Sequence, residues 1–84
     1  MKHYNFFYLE VLLRETNNLI NRLNFDYQVE LSPWRNRQVA IHEVNKLDNS
    51  VDVVFDNLTF EEAFHWLLGY NTALLNLMNE NLSI

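Results

Sequence analysis

His65 follows Glu61 by four residues and Glu62 by three. A Glu-x-x-His step on a helix brings a carboxylate and an imidazole to one face, and is one ingredient of a di-iron bundle site. Such a site needs a second copy of the step and two further helical carboxylates, and the chain has no second copy. Glu62 also has a competing use, because Thr59-Phe60-Glu61-Glu62 reads as a capping box at a helix start. The expectation is a partly exposed helical histidine and no metal. His3 and His42 have no companion at ligand spacing. Ser32, Ser50 and Ser83 lack the glycine-flanked context of a nucleophile elbow. Gly69 is the one glycine, which excludes a phosphate-cradling loop. Cysteine is absent, so disulfides, thiolate zinc sites and cysteine nucleophiles are excluded together. Paired-carboxylate catalysis needs a cleft, and a domain of this size has little room for one. The sequence therefore points to a protein that is not an enzyme and needs no cofactor.

The residues left over suit contact with another protein. Asp26, Glu30, Asp52 and Asp56 alternate with apolar residues, with Glu43 as a candidate fifth. Alternate strand residues stand about 7 Å apart, comparable to the spacing of phosphates along one DNA strand. These acids are expected on the outer face of a sheet, either as an ordinary solvated surface or as an imitation of a nucleic-acid backbone that enters a basic groove. Trp34, Arg35 and Arg37 lie around the first hairpin, and Trp and Arg are enriched in binding hot spots. The plainer alternative is a Trp folded back on the sheet edge beside two solvated Arg. The formal net charge of −5 disfavours direct binding to nucleic acid and allows a basic protein partner.

These side chains need elements to position them. Asn57 to Met78 reads as the helix around which the rest packs. Phe60, Ala63, Phe64, Leu67, Asn71, Leu74, Leu75 and Met78 fall on one face. Trp66, Tyr70, Ala73 and Leu77 form a second stripe. Either this helix is buried on two sides, or Trp66, Tyr70 and Leu77 are a homodimer surface. Gly69, inside the helix, predicts a close approach by the first helix or the sheet, or else by another chain. Asn5 to Leu23 reads as the first helix, with Phe6, Leu9, Leu12, Leu13, Thr16, Leu19, Ile20 and Leu23 inward and Asn17 among the outward residues. Between them stand three period-two runs. In Phe25 to Leu31 the odd positions face inward, and Ser32 to Asn36 interrupts at Pro33. In Arg37 to Val44, Val39 and Ile41 share one face. In Val51 to Asp56, Val51, Val53 and Phe55 are inward and Asp52, Val54 and Asp56 outward. The Asn-rich composition reads as bias, not motif.

The fold class expected is α+β over one domain, 1–84: a three-stranded antiparallel sheet with both helices on one face, in the order α-β-β-β-α. An 84-residue chain buries only about 60% of its unfolded surface, so one small core is the limit. No run of about 18 apolar residues predicts a membrane span. The N-terminus reads as a mature helix without a cleavage site, and a cytoplasmic location is expected.

The stretch Leu58-Thr59-Phe60-Glu61-Glu62 through Leu67-Leu68-Gly69-Tyr70 resembles the closing helix of small bacteriophage and prophage proteins. The α-β-β-β-α order, size and acidity resemble those of small anti-CRISPR proteins that inhibit Cas9-type nucleases in low-GC Gram-positive bacteria. The resemblance implies a phage protein in the host cytoplasm that binds Cas9, alone or with its guide RNA, and inhibits it. In that family, acidic side chains occupy the nuclease's DNA-binding groove. On the residues, the expected partner surface is Asp26, Glu30, Trp34, Arg35, Asp52 and Asp56. The alternative is a small structural or regulatory homodimer.

Overall fold

The computed structural model describes residues 5–82, apart from the side chains of Trp34, Asn81 and Leu82. Helix α1 (Phe6–Arg22) is followed by β1 (Tyr27–Trp34), a single 3-10 turn (Arg35–Arg37), β2 (Gln38–Asn45), β3 (Val51–Thr59) and α2 (Phe60–Leu82). The strands form one antiparallel sheet in the order β1-β2-β3, with the helices on one face. The predicted α+β architecture is thus the observed one.

Helix α1 starts where Asn5 Oδ1 accepts from the Tyr8 backbone N–H at 3.0 Å. Helix α2 follows β3 with no loop between them. The capping box makes that possible: Glu62 Oε1 accepts from the Thr59 N–H at 2.9 Å, and Thr59 Oγ1 accepts from the Glu62 N–H at 3.1 Å. Three strands, an odd number, return the chain to its starting direction, so the helices run parallel. Phe6 meets Phe60 near their starts, with centroids 6.2 Å apart. Halfway along α2 and about two-thirds along α1, Asn71 Nδ2 donates to Thr16 Oγ1 at 3.3 Å, and Thr16 Oγ1 donates to the Leu12 carbonyl. Asn71, the polar member of an apolar stripe, is thus buried with a buried partner.

The core is Leu9, Ile20, Val29, Val39, Ile41, Ala63 and Leu67, all fully buried, with Leu12, Leu19 and Leu74 around them. Each large member contributes about 1.5–3 kcal/mol by leaving water. Leu75, expected inward, is exposed. A Cβ added at Gly69 would meet nothing within 4 Å, so the predicted close approach there by the chain's own elements is absent.

β1 starts at Tyr27 and not Phe25, β2 is displaced by one residue, and two strands run three residues past their expected ends, one of which backbone direction explains. The Asp26 carbonyl accepts from the Lys46 N–H at 2.7 Å, and Asn45 N–H donates to the Ser50 carbonyl at 2.9 Å. Even residues of β1 therefore bond β2, and odd ones turn their N–H groups away. Pro33 is odd, so its missing donor costs no ladder bond and β1 runs through it to Trp34. The other difference is β3, which continues through Asn57 and Leu58 to Thr59 instead of giving way to helix.

Candidate functional site

The face of the sheet away from the helices carries Gln28, Glu30 and Ser32 from β1, Ala40, His42 and Val44 from β2, and Val51 and Val53 from β3. The cross-strand partners Glu30–His42, His42–Val53 and Val44–Val51 set this placement. It reverses the expected phase of β3 over Val51 to Val53. The register of β2 against β3 shifts between Val39 and Ile41 and again between Ile41 and His42. β3 has an extra residue at each shift, and each bulge turns the alternation over. Val51 and Val53, read as core, are 55% and 56% exposed. Phe55, between the two shifts, does turn to the helices, where its ring meets Trp66 edge-on at 5.9 Å.

An open concavity of about 660 Å³ lies on this outer face, with Ala40 and Val53 as apolar lining and Arg35, His42 and Asp56 as polar lining. His42 Nδ1 lies 3.3 Å from Ser32 Oγ. A serine beside an imidazole suggests a nucleophile and base, but acyl transfer also needs donors aimed at the developing oxyanion. Ser32 is paired with Ala40 in the ladder, which uses their backbone N–H groups. The arrangement supplies surface hydrogen bonding and a shallow place for a partner side chain.

On the opposite face, Val29, Glu43 and Asp52 form one row across the three strands. Val29 is fully buried under the helices, so Glu43 and Asp52 stand on the helix-bearing side, adjacent and alike in charge. A belt of aromatic rings runs beside them. Phe25 stacks on Tyr27 at 5.7 Å, the Tyr27 and Tyr70 hydroxyls are hydrogen-bonded, and Trp66 lies 5.0 Å from Tyr70. Burial holds the Tyr70 phenol well above its ordinary range, with the Tyr27 hydrogen bond and the charges of Tyr27 and Glu43 adding to it.

The expected partner surface is therefore divided. Glu30 and Asp56 share the outer face, and Arg35 joins Asp56 at the concavity. Asp26 is exposed just before β1, next to the turn where Lys46 bonds its carbonyl. Asp52, expected with the other acids, lies on the reverse side because of the bulges. The Trp34 backbone closes β1, and its side chain lies outside the described residues. Arg37 adopts a left-handed backbone (φ 59°) and sets its guanidinium 5.8 Å over the Phe60 ring. Trp66 and Tyr70, from the expected dimer stripe, are half-buried against Phe55 and Tyr27, while Leu77 is exposed. Glu62 of the Glu-x-x-His step is engaged by Thr59, and Glu61 lies 3.8 Å from His65. Among the described residues no helix is long and apolar enough to cross a membrane.

Asn17 is the residue that sequence reasoning placed wrongly with most consequence. Its Nδ2 donates to the Val29 carbonyl at 2.9 Å, and its Oδ1 accepts from the Val29 N–H at 2.9 Å. One side chain thereby satisfies both backbone groups that β1 turns outward at that point, as a neighbouring strand would. Among the described residues no such substitute serves β3, which pairs with β2 alone. Helical periodicity carries no trace of such a contact. Compared with family models, curated proteins and solved structures, the chain finds no match.

Proposed function

We propose that this chain is a non-enzymatic binding protein of phage or mobile-element type that inhibits a host protein through the outer face of its sheet, with a Cas9-type nuclease as the specific target. The observation that carries a binding role is the uncovered outer face itself. It combines exposed Val51 and Val53, the carboxylates of Glu30 and Asp56, and Arg35 beside an open concavity. An apolar patch bordered by charge is the usual composition of a protein contact. The nuclease as target rests on the resemblance in size, acidity and element order. The mechanism narrows from four acids to the pair Glu30 and Asp56, which share a face.

Binding of the purified nuclease–guide complex to the immobilised chain tests this. Replacing Glu30 and Asp56 together with Ala is expected to weaken binding by about tenfold, and binding of the unaltered chain is expected to fall steeply with salt. An affinity that ignores both the replacement and the salt overturns the acidic-face mechanism. Failure to bind the complex at all removes the nuclease.

A further inference from the structure

Among the described residues, the outer edge of β3 has free backbone groups whose positions follow from the ladder. Asn45 directs its N–H at β3 and bonds Ser50, so in β2 the odd residues pair toward β3. Val29 confirms the alternation from the other side, since its N–H and C=O go to Asn17 and not to Glu43. Glu43 and Asp52 therefore exchange the hydrogen bonds of that row. Val51 and Val53 turn their N–H and C=O groups outward, away from β2. Their side chains lie on the outer face and are more than half exposed.

Charge decides what fits there. An antiparallel second copy using all four groups would set Val51 against Val53 of its partner and Asp52 against the partner's Asp52. That places like charges opposite each other at about 4.5 Å between Cα atoms, a destabilising cross-strand pair. Shifting the register by two residues either way, the smallest step that keeps the outward groups paired, calls on Phe55, beyond a bulge, or on Asn49, in the turn at φ 61°. Within the chain, Asp52 already faces Glu43 across the strands. The row Val29–Glu43–Asp52 thus ends in two adjacent acids at an open edge, and the next place in the row suits a cation.

We propose that the β3 edge binds an extended segment of a partner protein as a fourth strand, with a Lys or Arg opposite Asp52 and apolar, preferably β-branched, residues opposite Val51 and Val53. The backbone supplies four hydrogen bonds, the valines supply apolar cross-strand pairs, and the basic residue neutralises the paired acids. The inference rests on the reading that the chain works by binding a protein, and adds to it the chemistry of the segment recognised.

The test uses the isotopically labelled 84-residue chain and two synthetic strand peptides of alternating Val and Thr, one with Lys and one with Glu at the central Thr position. The Lys peptide is expected to shift the amides of Val51 and Val53 and slow their hydrogen exchange. The Glu peptide is expected to bind about tenfold more weakly. Asp52→Lys should invert that preference, which loss of fold cannot do. Val53→Pro, which removes an outward N–H and leaves the ladder to β2 intact, should abolish binding with the circular dichroism unchanged. Equal affinity for the two peptides, shifts confined to other elements, or a dimer of the free chain formed through β3 would each overturn the proposal. No nuclease takes part, so a negative nuclease experiment counts against the function proposed above and leaves this result standing.

Discussion

The two edges of this small sheet are finished differently. β1 ends against α1, where Asn17 imitates a strand and answers both backbone groups of Val29, and Pro33 removes another outward donor. β3 has two bulges and two acidic residues, Asp52 and Asp56, but no covering side chain among the described residues. Its valines face water on the side away from the helices. Both are edge strands and both carry the hazard of unpaired backbone. One edge is tied down from within at Val29. The other is guarded against its own kind by charge and remains open to a partner of opposite charge. The difference separates the part of the sheet that holds the fold together from the part available for binding.

Unsealing β1 should have the largest effect. Asn17→Ala leaves the Val29 N–H and C=O without their partner, beside a side chain that is fully buried. The expected cost is about 2–3 kcal/mol in urea denaturation, from two polar groups left poorly satisfied. The same variant should lose hydrogen-exchange protection at Val29 and leave the Val51 and Val53 amides as they were. Equal loss at both edges would mean that Asn17 supports the whole fold and not one edge.

The joint at the far end of β3 is the next test. Thr59→Ala removes the hydroxyl that accepts from the Glu62 N–H and is expected to cost about 1 kcal/mol, with Thr59→Ser restoring most of it. Amide exchange should rise in the first turn of α2 and in the last residues of β3, and not in β1. Gly69→Ala works in the opposite direction. With open space at the added Cβ and a helical backbone, it should stabilise the chain by about 0.5–1 kcal/mol while leaving exchange at both edges in the same ratio. A destabilised Gly69→Ala would restore the close approach that the sequence suggested.

Much of this is legible in the sequence. Helical periodicity located both helices, and their caps at Asn5 and Thr59 were readable from side-chain chemistry. Alternation located all three strands and the faces of β1 and β2. The misreadings share one cause. A period-two pattern is counted along one strand, whereas a bulge is a property of a pair, so Val51, Val53 and Asp52 were assigned to the wrong faces. Pro33 reads as a stop because an edge strand cannot be told from a central one without its neighbours. The abundance of Asn, read as bias, turns out to serve distinct local needs. Asn24, Asn36 and Asn49 adopt positive φ, Asn45 Oδ1 accepts from the Leu47 N–H in the β2–β3 turn, Asn71 is buried with Thr16, and Asn17 seals an edge. The divided acidic surface was beyond reach for the same reason as the face of Asp52.

Acid should sharpen the contrast with the smallest effect of all, because the two carboxyls that the fold holds below their ordinary values flank β3. Asp48, in the turn before it, is lowered by the Ser50 backbone N–H and the Ser50 hydroxyl. Glu62, at the helix start after it, is lowered by the Thr59 backbone N–H and hydroxyl. A carboxyl with a lowered folded value contributes stability that is fully present above its unfolded value, here 3.8 for Asp48 and 4.5 for Glu62. That contribution is lost as the pH falls through the folded value. From neutral pH down to about 5 these two groups contribute in full and should leave the urea midpoint independent of pH, and below that it should fall. Glu62→Gln keeps an oxygen for the Thr59 N–H but cannot titrate, so its midpoint should fall less steeply in acid than that of the unaltered chain. Asp48→Asn should act alike at the other end of β3, and the two should add, since they lie at opposite ends of the strand. Hydrogen exchange below about pH 4.5, corrected for the intrinsic rate, should then show the ends of β3 opening while Val29 stays protected. The neutral amide of Asn17 has no charge to lose, so the sealed edge should hold through the pH range in which the open one begins to loosen.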